Sequence, residues 1–88
     1  MPLVTTKQLL LDAQAGGYAI GAFNVENMEM VQAVVGAAEE LKSPVILQTT
    51  PSTVKYADLE YFYANVKTAA KKATVPVVIH LIMEIVLI

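Results

Sequence analysis

The sequence predicts an α/β fold in which a leading helix is followed by a βαβαβ run of parallel strands. Three mostly apolar segments begin near residues 18, 44 and 75, and a segment with helical spacing of apolar residues separates each pair. Crossovers of that length make strands parallel, and near-continuous apolar strands indicate helices covering the sheet. Such a run begins either a (β/α)8 barrel or a doubly wound sheet, and strand spacing does not choose between them.

Composition excludes several classes of function. The chain has 88 residues, of which 56% are hydrophobic, and a net charge of −2, so it is long and apolar enough for a folded core. Six lysines and no arginine leave no basic stripe for nucleic acid. The absence of cysteine and of a signal peptide fits a cytoplasmic protein. The apolar end from Val75 onward is shorter than the ~18 residues of a membrane span and is interrupted by charge.

The first helix and strand are predicted from capping residues and glycines. Thr5 and Gln8 have the spacing of a capping box, and Gly16-Gly17 can end the helix in a left-handed conformation. One helix side carries Leu9, Leu10 and Ala13. The segment Tyr18–Val25 then reads as a buried strand, in which Gly21 indicates close packing.

The second helix and strand follow the same logic. Asn27 is a good N-cap for a helix that runs to about Leu41, with a buried apolar stripe on one side and a solvent-exposed polar face on the other. That stripe comprises Val31, Val34, Val35, Ala38 and Leu41. Ser43-Pro44 breaks the helix, and the strand 45–50 ends in polar residues. We expect the next residues, Pro51-Ser52-Thr53, to form a loop.

A third helix and a third strand complete the predicted βαβαβ run. Asp58 can cap a helix whose lysines cluster toward its C-terminal end, where they suit the helix dipole. Its predicted buried face comprises Leu59, Phe62, Val66, Ala69, Ala70 and Ala73. The strand Val75 to Leu81 follows.

Three polar residues near strand ends are candidates for a binding site. Asn24 lies near the end of the first strand, and Gln48 and Thr50 lie near the end of the second, so all three are predicted to face one side of the sheet. Neutral amides and hydroxyls suit hydrogen bonding to sugar hydroxyls or phosphate oxygens. The competing interpretation is that Asn24 and Thr50 only satisfy backbone groups at strand ends.

His80 is the single histidine of the chain. In an apolar strand, a lone histidine is more often a core residue with one hydrogen bond than a metal ligand, because catalytic metal sites need about three protein ligands. His80 and Glu84 would share a face only if this segment were helical. We therefore give the metal interpretation little weight.

Three segments taken together resemble the N-terminal region of class II, metal-dependent fructose- or tagatose-bisphosphate aldolases. They are GGYAIGAFNVENMEMVQAV, AAEELKSPVILQTTPST and VPVVIHL, in family order over residues 1–81. The resemblance implies a (β/α)8 barrel, which resolves the choice that spacing leaves open. Residues 82–88 form an apolar tail that departs from the family pattern.

The resemblance implies a lyase of glycolysis and carbohydrate metabolism. The expected reaction is a zinc-dependent, reversible aldol cleavage of a ketose bisphosphate to dihydroxyacetone phosphate and glyceraldehyde 3-phosphate, with the metal as Lewis acid. Asn24 matches a substrate-contacting asparagine, Thr50 falls where a hydroxyl residue contacts the sugar phosphate, and Gln48 is a weaker neighbour. A sugar-phosphate substrate and a homo-oligomer are implied as partners.

The resemblance fails at the tail. The family continues with an aspartate that transfers protons and a histidine that binds zinc, whereas this chain has Ile82 and Met83 there. An aliphatic carbon cannot transfer a proton, and a thioether is a poor zinc ligand beside imidazole. We therefore expect an incomplete aldolase whose 88-residue chain is inactive by itself.

Two alternatives stay open. One is a truncated, non-catalytic α/β module that associates through open strand edges, because three strands of a barrel leave two edges unpaired. The other is a different phosphate-handling barrel enzyme that begins with the same architecture. The choice between fructose and tagatose substrates depends on residues that the sequence lacks.

Overall fold

The computed structural model describes residues 3–81 and confirms the α/β class, with three parallel strands in one sheet in the order β1-β2-β3. The elements are α1 Thr6–Gly16, β1 Gly21–Asn24, α2 Met28–Leu41, β2 Val45–Thr49, α3 Pro51–Ala57, α4 Leu59–Lys72 and β3 Val77–Leu81. No helix within residues 3–81 has the length and apolar character to cross a membrane.

One face of the sheet is sealed by α2 and α4. Alternate residues of β2 and β3 point toward these helices, and Leu47 and Val77 are fully buried there. Val31 of α2 and Val66 of α4 meet them in one cluster. The buried members of that cluster are Val25, Val31, Val35, Ala38, Val45, Leu47, Phe62, Val66, Ala70, Ala73, Val75 and Val77.

The opposite face is apolar over its N-terminal half only. Leu9 of α1 packs with Ile46 and Val78 in a second, smaller cluster, and Val4 and Ile20 flank it. Helix α1 therefore covers the start of the strands on this face and leaves their C-terminal ends uncovered.

Helix ends follow the predicted chemistry in part. The Asn27 side chain accepts a hydrogen bond from the Met30 N–H at 2.9 Å, and Gly17 ends α1 with φ 72°. Thr5 occupies the N-cap position of α1, but its side chain makes no capping bond, so the predicted capping box is wrong. Lys42 ends α2 in the left-handed region at φ 52°, one residue before the predicted Ser43-Pro44 break.

The first strand differs from its prediction. β1 spans only Gly21–Asn24 and is exposed along its length, with Phe23 at 49% of its full exposure. The reason is position: β1 lies at the edge of the sheet, and the helices pack chiefly on β2 and β3. Close packing at Gly21 is confirmed, because a Cβ there would lie 2.6 Å from the Phe23 ring.

Residues 51–53, predicted as a loop, begin helix α3. Proline suits the first turn of a helix, since its fixed φ is helical and its missing N–H would be unbonded there anyway. The predicted apolar faces also extend too far. Leu10, Leu41 and Leu59 are exposed at 50%, 76% and 42% instead of being buried.

The edge of β3 is partly closed. Leu3 forms a parallel bridge with Val77, and the Val4 N–H donates to the Val77 carbonyl at 3.1 Å. β2 occupies the other side of Val77, so the segment 3–4 lies along the outer edge of β3. Within residues 3–81, the prediction of two open edges therefore holds for β1 but not for the start of β3.

Candidate functional site

Three polar side chains form a continuous row across the sheet. The strand register pairs Asn24 with Gln48 and Gln48 with His80. Gln48 Nε2 donates to Asn24 Oδ1 at 2.8 Å, and His80 Nδ1 lies 3.3 Å from Gln48 Oε1. We call these three residues the polar ladder.

The alternation of side chains along the strands explains the position of the ladder. Leu47 and Thr49 point to the helix-covered face, so Gln48 between them points to the other face. The ladder thus shares its face with Ile46 and Val78, two residues nearer the strand starts. The site has an apolar floor below and polar groups at the C-terminal strand ends above.

The ladder is accessible to a ligand. Asn24 and His80 are exposed and Gln48 is half-buried. Within residues 3–81, neither the Asn24 side-chain N–H groups nor His80 Nε2 forms a hydrogen bond. An amide donor at one end and an imidazole nitrogen at the other are therefore available for hydrogen bonding.

The structure brings Asn24 and Gln48 together, as the sequence predicts. Thr50 lies directly after the end of β2, as the half-buried residue between β2 and α3. His80 is the member that the sequence reasoning missed. It is exposed rather than a core residue, and within residues 3–81 it belongs to no group of metal ligands. Its even spacing from Val78 along β3 is the signal that places it on the ladder face.

The described residues do not fit a zinc site. Within residues 3–81, no three histidine, cysteine, aspartate or glutamate side chains are grouped as metal ligands would be. Glu84, the residue that would share a face with His80 in a helical segment, lies outside the described residues, as do Ile82 and Met83. His80 alone cannot hold a catalytic metal.

One carboxylate helps to position the strand that carries His80. The two Glu39 carboxylate oxygens accept from the Thr74 N–H at 2.6 and 2.8 Å, and also from the Thr74 hydroxyl. These bonds, the hydroxyl first, hold the pKa of the Glu39 carboxyl below its usual value. Glu39 thereby ties α2 to the turn that precedes β3.

Comparisons with known proteins agree on one family. The family model for class-II fructose-bisphosphate aldolase matches residues 4–81. The crystal structure of the YdjI aldolase from Escherichia coli K12 superposes with a TM-score of 0.83 at 42% identity, over 90% of this chain and 31% of that one.

A second solved structure is more distant. It is a "putative fructose-1,6-biphosphate aldolase" from Coccidioides immitis, with a TM-score of 0.78 and 33% identity. The match covers 86% of this chain and 26% of the fungal one. The chain therefore spans between a quarter and a third of the length of these solved relatives.

Proposed function

This chain belongs to the class II fructose-bisphosphate aldolase family, and we propose that it is the part of such an enzyme that carries the first three strands of a (β/α)8 barrel. The proposed activity of the whole enzyme is reversible cleavage of fructose 1,6-bisphosphate or tagatose 1,6-bisphosphate. The products are dihydroxyacetone phosphate and glyceraldehyde 3-phosphate. By the same resemblance, we propose a cytoplasmic homo-oligomer.

The polar ladder is the observation that carries this proposal. Barrel enzymes bind substrate at the C-terminal ends of their strands, and the ladder lies at that end of all three described strands. Its neutral amides suit sugar hydroxyls, for which a charged group would be costly to desolvate. We assign substrate contacts to Asn24 and, less directly, Gln48, and a contact with the sugar phosphate to Thr50.

Zinc is proposed for the whole enzyme only. There it would polarise the substrate ketone, but residues 3–81 do not supply a ligand set for it. We also propose that the 88-residue chain is inactive alone, because Ile82 and Met83 stand where the resemblance expects an acid–base aspartate and a zinc-binding histidine.

An assay on two proteins tests the proposal. We would express the protein encoded by the native gene and, separately, this 88-residue chain, and measure cleavage of both ketose bisphosphates with and without a chelator. We expect chelator-sensitive cleavage by the native-gene product and none by the chain. Absence of cleavage of either substrate by the native-gene product, under conditions where a known class II aldolase is active, would contradict the proposal.

A non-catalytic module is the second candidate, and the exposed edge strand favours it. Among residues 3–81, only β2 pairs with β1, which leaves its other edge open beside the exposed ring of Phe23, and open edges are surfaces on which strands associate. The intact mass of the natural protein separates the two candidates. A mass near 9.5 kDa, with concentration-dependent oligomers in sedimentation, supports the module. A mass about three times larger, in keeping with the 31% of the YdjI aldolase that the match covers, supports the enzyme.

A further inference from the structure

We propose that His80 is a positioning residue, which fixes the orientation of the Gln48 amide and through it the amide of Asn24. The ladder then has a direction, with a hydrogen-bond donor at its Asn24 end and an acceptor at its His80 end. The inference deepens the proposed function, since it concerns the same site. Its first test does not require activity.

The direction follows from the pairing of atoms. Gln48 Nε2 can only donate, and it donates to Asn24 Oδ1 at 2.8 Å. Gln48 Oε1 can only accept, and it faces His80 Nδ1 at 3.3 Å, so Nδ1 carries the hydrogen. A neutral His80 therefore has its proton on Nδ1 and a lone pair on Nε2.

This arrangement selects the ligand chemistry. The free Asn24 amide hydrogens suit a carbonyl or hydroxyl oxygen, and the Nε2 lone pair of His80 suits a hydroxyl that donates. The two ends lie two strand spacings apart, roughly 10 Å between backbones. A polyhydroxylated ligand that presents an oxygen acceptor at one end and a hydroxyl donor at the other matches the ladder, whereas an inorganic anion does not.

The tautomer of His80, that is, which ring nitrogen carries the hydrogen, tests the proposed bond to Gln48 directly. Because this is the single histidine of the chain, long-range proton–nitrogen correlation NMR on the labelled 88-residue chain reports it without overlap under alkaline conditions. We expect the hydrogen on Nδ1, which is the reverse of the preference of free histidine. In Gln48→Leu, the acceptor is lost and the hydrogen should move to Nε2.

Matched variants complete this experiment. Gln32→Leu, on the exposed surface of α2, makes the same chemical change away from the ladder and should leave the tautomer unchanged. Should Gln48→Leu fail to fold, Gln48→Glu replaces it, because a carboxylate also accepts and should keep the hydrogen on Nδ1. A hydrogen on Nε2 in the wild-type chain or in Gln48→Glu would overturn the proposal, as would an unchanged Nδ1–H in folded Gln48→Leu.

A kinetic cycle in the native-gene product tests the positioning role. His80→Leu should lower kcat/KM about 10-fold or more. His80→Asn places a donor near the Nδ1 position and should restore most of that loss. The double variant Gln48→Leu/His80→Leu should lose less than the two single variants combined, because the part of the His80 effect that acts through Gln48 is already lost in Gln48→Leu. Additive losses would contradict the proposal.

The two experiments separate the two hypotheses. An Nδ1–H tautomer together with an inactive native-gene product would support the proposed direction of the polar ladder and contradict the aldolase function. Aldolase activity together with an Nε2–H tautomer would retain the function and reject the positioning role of His80.

Discussion

On one face of the sheet, Leu47 and Val77 are sealed beneath α2 and α4, whereas on the other face the apolar cover ends halfway along the strands and the polar ladder begins. Both faces are built from the same strands, and consecutive residues of β2 alternate between them. Stability and ligand chemistry are therefore assigned to neighbouring residues with opposite orientations. Substitutions at two consecutive positions of β2 should therefore affect different properties, stability at one and ligand binding at the other.

The largest expected effect is on the sealed face. Leu47→Ala removes a fully buried side chain from the main cluster and should lower the free energy of unfolding by about 2–5 kcal/mol. Gln48→Ala, one residue along, should cost less than about 1 kcal/mol, because its hydrogen bonds compete with water. Denaturant unfolding of both variants gives the comparison, and equal losses would contradict the division between the faces.

A smaller effect of opposite sign is expected at Thr49. Its side chain is fully buried, and its hydroxyl has no hydrogen-bond partner among the residues that the structure describes. Thr49→Val keeps the shape and removes the unpaired group, so it should stabilise the chain by about 1 kcal/mol. Thr68→Val, on the exposed side of α4, is the matched control and should change stability little. A destabilised Thr49→Val would show that the hydroxyl is paired in solution.

The smallest effect concerns pH and the turn before β3. The folded-state pKa of Glu39 is lowered by its bonds to Thr74, so its contribution to stability is complete above the usual carboxyl pKa and is lost as pH falls through the lowered value. The melting temperature of wild type should therefore fall more between about pH 6 and pH 3 than that of Glu39→Gln. Thr74→Val keeps the backbone donor, so its melting temperature should fall with pH by an intermediate amount. If the melting temperatures of all three proteins fall in parallel, the Glu39 contribution to stability is excluded.

Much of the fold was predictable because the deciding signals are local. The second and third strands are continuous apolar runs flanked by helix-ending residues, and the structure has them at Val45–Thr49 and Val77–Leu81. The burial of the first strand was not predictable from its composition. Burial there depends on neighbours of β1 that the local sequence does not specify, and in the described residues only β2 pairs with it.

The candidate site was half predictable for a related reason. Alternation along a strand assigns Gln48 to a face, and the matched ends of parallel strands bring Asn24 beside it. The bond from His80 to Gln48 requires the register between β2 and β3, which no single segment encodes. An isolated histidine in an apolar run therefore gave no sign of its partner.

The bridge between Leu3 and Val77 joins two points that lie almost the whole described chain apart. During synthesis on the ribosome, Leu3 emerges long before Val77, so the segment 3–4 stays without this partner until β3 has left the exit tunnel. Removal of Leu3 and Val4 would consequently loosen β3 from its outer side, at the end of the strand opposite to His80.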